Sequence, residues 1–291
     1  MELKYLLYKK QELEKNGDVS RDLHILFQNL QKRGIAVEAV SSQTLPVYMD
    51  RHNIPPEETL VIAATDQTLT EISGFPAASI GYRRTDFTEE GLYGADLLAE
   101  GFWEVDYRFL ERVWQRKHRI PWRILETERT YLMEMTLSDL PGLYALYEGE
   151  KMTDFMEPLY AWEEEAEYTK AYIEHMYRYY GFGMWLLKDR NTHELIGRAG
   201  FNLFESGEGE PVLEMGYAIA ASRQRKGYAT EACTALIHYA KQEELGFDTL
   251  YCFVHKENRA SIALLARLGF TCCGVCNRDG HKMYRYAYPL F

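Results

Sequence analysis

At 291 residues, 46% apolar and 26% charged, the chain has room for two hydrophobic cores and is too apolar to be read as disordered. Its formal net charge of −11 argues against nucleic-acid binding, which needs a basic surface to displace counterions, and suits cationic or amine-bearing partners. No apolar run is long enough to cross a bilayer and the first residues hold no signal-peptide core, so no membrane partner and a cytoplasmic location are expected.

From the amino end, residues 5–8 read as a short buried strand. Leu23, Leu26, Phe27 and Leu30 then recur at helical spacing and stop at Gly34, a natural helix terminator. Strands follow at 35–41, 60–63 and 77–82, with a helix over 45–52 and a further short strand near 95–98. Strands alternating with helices predict a mainly parallel sheet. The charged run from Arg112 to Arg119, followed by Ile120-Pro121-Trp122, reads as a linker over 112–128.

Beyond it, strands are expected at 131–135, 184–188, 195–204, 212–219, 249–254, 270–275 and 282–288. Helices are expected from Ser138, over 163–180, over 228–244 and over 258–268. Strands run together first and alternate with helices later, which predicts a mixed sheet, antiparallel before parallel. Five cysteines, an odd number lying mostly in these elements, suggest reduced core thiols rather than a disulfide framework. Cys272, Cys273, Cys276 and His281 lack a second paired ligand set, so no metal is expected.

The densest chemical signal is a strand, a basic glycine turn and a long helix: Glu214-Met215-Gly216-Tyr217-Ala218-Ile219, then Gln224-Arg225-Lys226-Gly227-Tyr228-Ala229-Thr230. A turn feeding a helix start offers unpaired N–H groups and the positive end of the helix dipole, a ready anion site. Gly227 admits close approach and Arg223, Arg225 and Lys226 add charge. A plain helix start with solvated basic residues is the competing reading.

These residues, with Leu195-Ile196-Gly197-Arg198-Ala199-Gly200 before them and Asn258-Arg259-Ala260-Ser261 and Leu268-Gly269-Phe270 after, resemble the GNAT superfamily of N-acetyltransferases over 129–291, in the branch of the ribosomal-protein alanine acetyltransferases. The resemblance implies an acetyltransferase using acetyl-CoA as cosubstrate. Backbone at Tyr217, Ala218 and Ile219 would hold pantetheine, Gln224 and Arg225 through Thr230 the pyrophosphate. Asn258 would touch the cofactor, although asparagine there also suits a helix N-cap.

Acetyl transfer to an amine needs a proton acceptor and a donor for the leaving thiolate. Glu214, the lone carboxylate of an apolar strand, is the candidate base; facing solvent or pairing with an arginine is its bland alternative. Many members of the superfamily carry a tyrosine where this chain has Leu265, which leaves Tyr251, Tyr217 or water as the acid, or a thiolate that departs unassisted. Phe155, Met156, Tyr160, Trp162, Tyr168, Tyr172, Tyr177, Tyr179 and Tyr180, near Glu157 and Glu163 to Glu165, are the candidate acceptor wall, against core packing for most of them. The acceptor, a protein N-terminus or a small amine, stays open. A non-catalytic acyl-CoA-binding sensor or interaction module is the alternative.

Residues 1–111 resemble the core of haloacid-dehalogenase-type (HAD) phosphatases through 56–62, 77–82 and Ser41. Tyr8-Lys9-Lys10 stands where that family has its nucleophilic aspartate, and Ala64 and Thr68, flanking Asp66, stand where it binds magnesium. The fold expected is therefore α/β throughout: a catalytically silent HAD-like domain (1–111) for docking, homodimer formation or substrate presentation, the linker, and the GNAT domain (129–291).

Overall fold

A computed structural model describes the chain apart from residues 16, 86–88, 205–210, 244 and 279. It separates into two units, Met1–Ile120 and Pro121–Phe291, each with its own core.

The first unit runs β1 (Tyr5–Lys9), α1 (Lys10–Leu13), α2 (Arg21–Lys32), β2 (Ala36–Val40), α3 (Leu45–His52), β3 (Thr59–Ala63), α4 (Asp66–Ile72), β4 (Ala78–Tyr82), β5 (Leu97–Ala99) and α5 (Tyr107–Lys117). Its strands form one parallel sheet, ordered β2-β1-β3-β4-β5. Neighbouring Leu6 and Leu7 feed opposite faces. Leu6 packs in a cluster with Leu23 and Leu30 of α2 and Trp114 of α5, Leu7 in one with Met49 of α3 and Leu69 of α4. Burial on both faces is why β1, β3 and β4 read as largely apolar runs. At the carboxyl ends of β1 and β3 the polar groups are tied to one another. Lys9 Nζ pairs with Glu71 at 3.0 Å and donates to the Gln43 carbonyl, while Glu12 accepts from Ala64 N–H and Thr65 Oγ1.

The interval 112–128 is not a linker throughout. Arg112 to Lys117 complete α5, an amphipathic helix capped by Asp106 that buries Leu110, Val113 and Trp114, so the charged run is its outer face. A strand, β6 (Arg123–Glu126), occupies the rest. Helix α4 was not anticipated; its threonine-rich sequence carries little helical signal, and the Thr65 side chain capping Thr68 N–H starts it.

The second unit continues with β7 (Thr130–Met133), α6 (Leu140–Tyr147), α7 (Trp162–Tyr172) extended by a π-helical stretch Ile173–Tyr180, β8 (Met184–Asp189), β9 (Leu195–Phe204), β10 (Val212–Ile219), α8 (Tyr228–Gln242), β11 (Thr249–His255), α9 (Arg259–Leu268), β12 (Thr271–Arg278) and β13 (His281–Pro289). The expected end of the 228–244 helix, residue 244, lies outside the described residues. Eight strands form a mixed sheet, ordered β12-β13-β11-β10-β9-β8-β7-β6. Parallel pairing is confined to β10–β11, because β13 inserts between β11 and β12 and runs against both. Trp185 meets Phe201 and Tyr239 edge-to-face, with centroids 5.7 and 5.5 Å apart, and locks α8 to the sheet. Only Cys233 and Cys252 are core thiols. Cys272 and Cys273 are exposed and Cys276 is half-buried, because β12 is an edge strand without a covered face.

Candidate functional site

β10 and β11 are paired only at Leu213–Leu250 and Glu214–Tyr251, although β10 continues to Ile219 and β11 to His255. Beyond Glu214 the two strands part. The first carbonyl past the vertex, that of Met215, accepts from the Cys252 thiol. A strand edge left without its neighbour presents main-chain donors and acceptors to whatever fills the gap. Against this free part of β10 lies a cavity of about 710 Å³, lined by Tyr217, Ala218 and Ile219 and, across from them, by Asn258, Ser261 and Leu264 at α9.

The far end of the cavity is the turn between β10 and α8. Gln224 Nε2 donates to the Ile219 carbonyl at 3.0 Å, fastening the turn to the strand it leaves. Arg225 and Gly227 are left-handed, with φ of 61° and 86°. Gly227 is the N-cap of α8 and supplies no side-chain cap, so the first-turn amides keep no partner from the helix itself. Arg225, Gly227, Tyr228, Ala229 and Thr230 all line the cavity, as does Arg223, which also pairs with Glu194. Lys226 does not line it: its Nζ turns back to the Ser222 carbonyl at 2.9 Å. Asn258 caps α9, its Oδ1 accepting from Ser261 N–H at 3.1 Å, and also faces the cavity.

A brace absent from the sequence reading holds this turn. Arg129 Nη1 donates to the Lys226 carbonyl at 3.0 Å, its guanidinium lies 4.4 Å from the Tyr228 ring centroid, and its Nε pairs with Glu231 at 2.6 Å. Glu231 further accepts from Thr127 Oγ1 and Arg129 N–H. Burial alone would raise the Glu231 carboxyl; the hydrogen bonds from Thr127 and Arg129, with the Arg129 charge, outweigh it and hold the group below its ordinary value. Residues 129 and 231 are far apart in the chain and carry no pairing signal, which is why the sequence did not show them.

Glu214 sits at the vertex, 8% exposed. Its Oε1 accepts from Arg278 Nη1 at 2.7 Å, and its Oε2 is shielded from solvent without a hydrogen-bond partner among the described residues. Arg278 lies over Phe204 and Phe253, 4.7 and 5.5 Å from their centroids. Burial pushes the Glu214 carboxyl up and Arg278 opposes it; the net direction is upward. Burial and arginine pairing, weighed above as alternatives, thus occur together. Tyr251 is the register partner of Glu214, on the same face of the sheet. Neither lines the cavity: Glu214 is three residues from Tyr217, roughly 10 Å along the strand. Tyr217 does line it, and burial pushes its hydroxyl up. Leu265 is fully buried in the core.

The aromatic wall divides. Phe155 and Met156 line the cavity. Tyr172 accepts from Met184 N–H at 2.7 Å and Tyr177 donates to the Met184 carbonyl, so both anchor β8. Burial pushes Tyr172 up to about 12. Tyr160, Trp162, Tyr168, Tyr179 and Tyr180 are exposed. Glu165 is buried and accepts from Tyr160 N–H at 3.0 Å, whereas Glu157, Glu163 and Glu164 face solvent. No group of three or more metal-ligating side chains is arranged to hold an ion among the described residues.

The family model for the acetyltransferase (GNAT) domain matches residues 129–271. The chain is 28% identical over 168 residues to the uncharacterized N-acetyltransferase YoaA of Bacillus subtilis (strain 168), covering 57% of this chain and 91% of that one. It spans 51%, 60% and 50% of the length of three further curated relatives that it matches. Among solved structures, it is similar to a putative GNAT-family acetyltransferase from Bordetella pertussis, with 25% identity, a TM-score of 0.49, and 57% and 99% of the two chains covered. It is also similar to the ribosomal L7/L12 alpha-N-protein acetyltransferase RimL in complex with coenzyme A, with 22% identity, a TM-score of 0.49, and 58% and 98% covered.

Proposed function

We propose, from the premise that this chain is an acetyltransferase carrying a GNAT domain, that it moves the acetyl group of acetyl-CoA to a primary amine bound beside the vertex of β10 and β11. One observation carries the reading: the uncapped start of α8 and the unpaired reach of β10 open into the same cavity. The amides from Gly227 to Thr230, with Arg225, take the diphosphate. The backbone of Tyr217, Ala218 and Ile219 takes the pantetheine arm as an added strand would be taken. Asn258 and Gln224 border the same path. Lys226 contributes its place in the turn and long-range charge, not a direct contact.

The amine must arrive neutral, at an ordinary pKa of about 7.7–8.0 for an α-amino group and about 10.4 for a lysine. Glu214, raised by burial, receives its proton through water, which suits a carboxylate some 10 Å up the strand from Tyr217. Arg278 fixes the carboxylate and favours its ionised form, so that it is ready to accept the proton. Tyr251, beside Glu214, supplies the proton to the departing thiolate; Leu265, sealed in the core, cannot. The first unit serves docking, dimerisation or substrate presentation. Lys9 and Glu12 close off the strand ends where a HAD-type phosphatase would need a free aspartate.

Free-thiol release from acetyl-CoA with a panel of amines tests this reading. Acceptor-dependent release is expected, together with no magnesium-dependent phosphoester hydrolysis. Tight CoA binding without release on a broad panel contradicts catalysis and leaves a sensor.

A further inference from the structure

We propose that Arg198 selects the acceptor: its guanidinium binds a carboxylate carried on the same molecule or peptide end as the amine that is acetylated. This rests on the acetyl-transfer reading above. Arg198 lies on β9 directly opposite Ala218, a residue that lines the cavity. Paired residues of an antiparallel sheet project to one face, so Arg198 stands beside the wedge, one strand removed. Along that face the next opposed pair is Gly200–Gly216, without side chains, and the next is Asn202–Glu214. Arg198 and the proposed base thus share one face, four residues or roughly 13 Å apart along the strand, with Gly183 and Met184 packed over the glycines between them.

Among the described residues Arg198 has no carboxylate partner. Nη1 donates to the Tyr147 hydroxyl at 3.0 Å. Nε is shielded from solvent and has no hydrogen-bond partner among the described residues. Its neighbours are the tyrosine hydroxyls of 147, 172 and 177, with Tyr168 beside them, and no carboxylate pairs with it among the described residues. A desolvated guanidinium with an unsatisfied N–H is costly to keep. Its planar fork matches a carboxylate in two-point contact, and the tyrosines offer further donors and an aromatic wall. Tyr160 and Tyr168 extend that wall outward, with ring centroids 5.5 Å apart. A purely structural Arg198 would only tether α6 to the sheet through Tyr147.

The test compares matched acceptors, each as the acid and as its carboxamide: free amino acids of increasing length, and tripeptides with an acidic or an amidated first residue. The wild type is expected to favour the acid about 10-fold or more in kcat/KM, mostly through KM. Arg198→Gln lowers kcat/KM for the acid roughly 10- to 100-fold and for the carboxamide far less, and Arg198→Lys restores part of the preference. Calorimetric CoA affinity is measured on each variant. Preference among free amino acids identifies a small acceptor, and preference among tripeptides a protein end.

A wild type indifferent to the carboxylate overturns the proposal, as does a variant that keeps the preference. Equal loss on both acceptors assigns Arg198 to tethering and overturns it too. Absence of thiol release with every amine refutes the acetyl-transfer reading instead. The Arg198 site is then read by tyrosine fluorescence of CoA-loaded protein titrated with the same pairs. Quenching by the acid alone, lost in Arg198→Gln, supports the site, and equal quenching by acid and carboxamide rejects it.

Discussion

Replacing Gly227 by alanine adds one methyl group at the point on which the cavity depends. Gly227 has φ 86° and ψ −3° at the N-cap of α8, a left-handed conformation that costs an L side chain about 1–2 kcal/mol. The new Cβ would stand 3.3 Å from Arg129 Nη2, the tip of a flexible side chain that can retreat by a few tenths of an ångström. Retreat weakens the Arg129 hydrogen bond to the Lys226 carbonyl and its seat on Tyr228, together about 1 kcal/mol more.

The loss must appear in one of two places. If the turn keeps its shape, Gly227→Ala lowers unfolding stability by about 2–3 kcal/mol with CoA affinity nearly intact. If the turn relaxes, stability recovers, but the amides from Tyr228 to Thr230 no longer converge and CoA affinity falls roughly 10-fold or more. Urea unfolding and calorimetric CoA titration on the same preparation read both. Wild-type stability together with wild-type affinity would refute the strained, brace-held turn. Gly227→Glu places a carboxylate against the diphosphate and is expected to abolish CoA binding in a folded protein.

Glu214→Gln should lower kcat by roughly 10²–10⁴-fold with CoA affinity retained. In the wild type, kcat/KM should fall as pH drops through a value above 4.5, and Arg278→Gln, which removes the opposing charge, should move that limb to higher pH; an unmoved limb assigns it to another group. A raised folded pKa gives stability that is full below the unfolded value and is lost as pH rises through the folded one. Glu214→Gln should therefore gain stability relative to wild type on the alkaline side, as urea unfolding at two pH values will show. Leu265→Tyr should destabilise by about 1–3 kcal/mol through overpacking and bring no gain in kcat, whereas a rise in kcat would show that this position reaches the thiolate.

Periodicity revealed most elements, since each depends on its own residues. α3, β9 and β10 fall where the sequence pattern places them, and Gly227, expected for close approach, also takes a positive φ. Signals that depend on distant partners did not show. Charges from Arg112 to Lys117 look like a linker until Val113 and Trp114 find a core to enter. The insertion of β13 beside β11 is a matter of topology, and it limits parallel pairing in the second sheet to β10 and β11. Of the motif residues singled out, Tyr217 to Ile219 and Gln224 to Thr230 line the cavity, except Lys226, because side-chain direction in a turn is not encoded by order. The contacts of Arg129, Arg198 and Arg278 could not be read: each is made to residues of another strand or helix.

The most direct measurement is amide hydrogen exchange of the intact chain with and without CoA. Protection confined to residues 217–219 and 224–230 and to the start of α9 is what a diphosphate at the α8 amides and an arm along β10 predict. Protection elsewhere, or none in a folded protein at saturating CoA, contradicts the assignment of the cavity and the chemistry built on it.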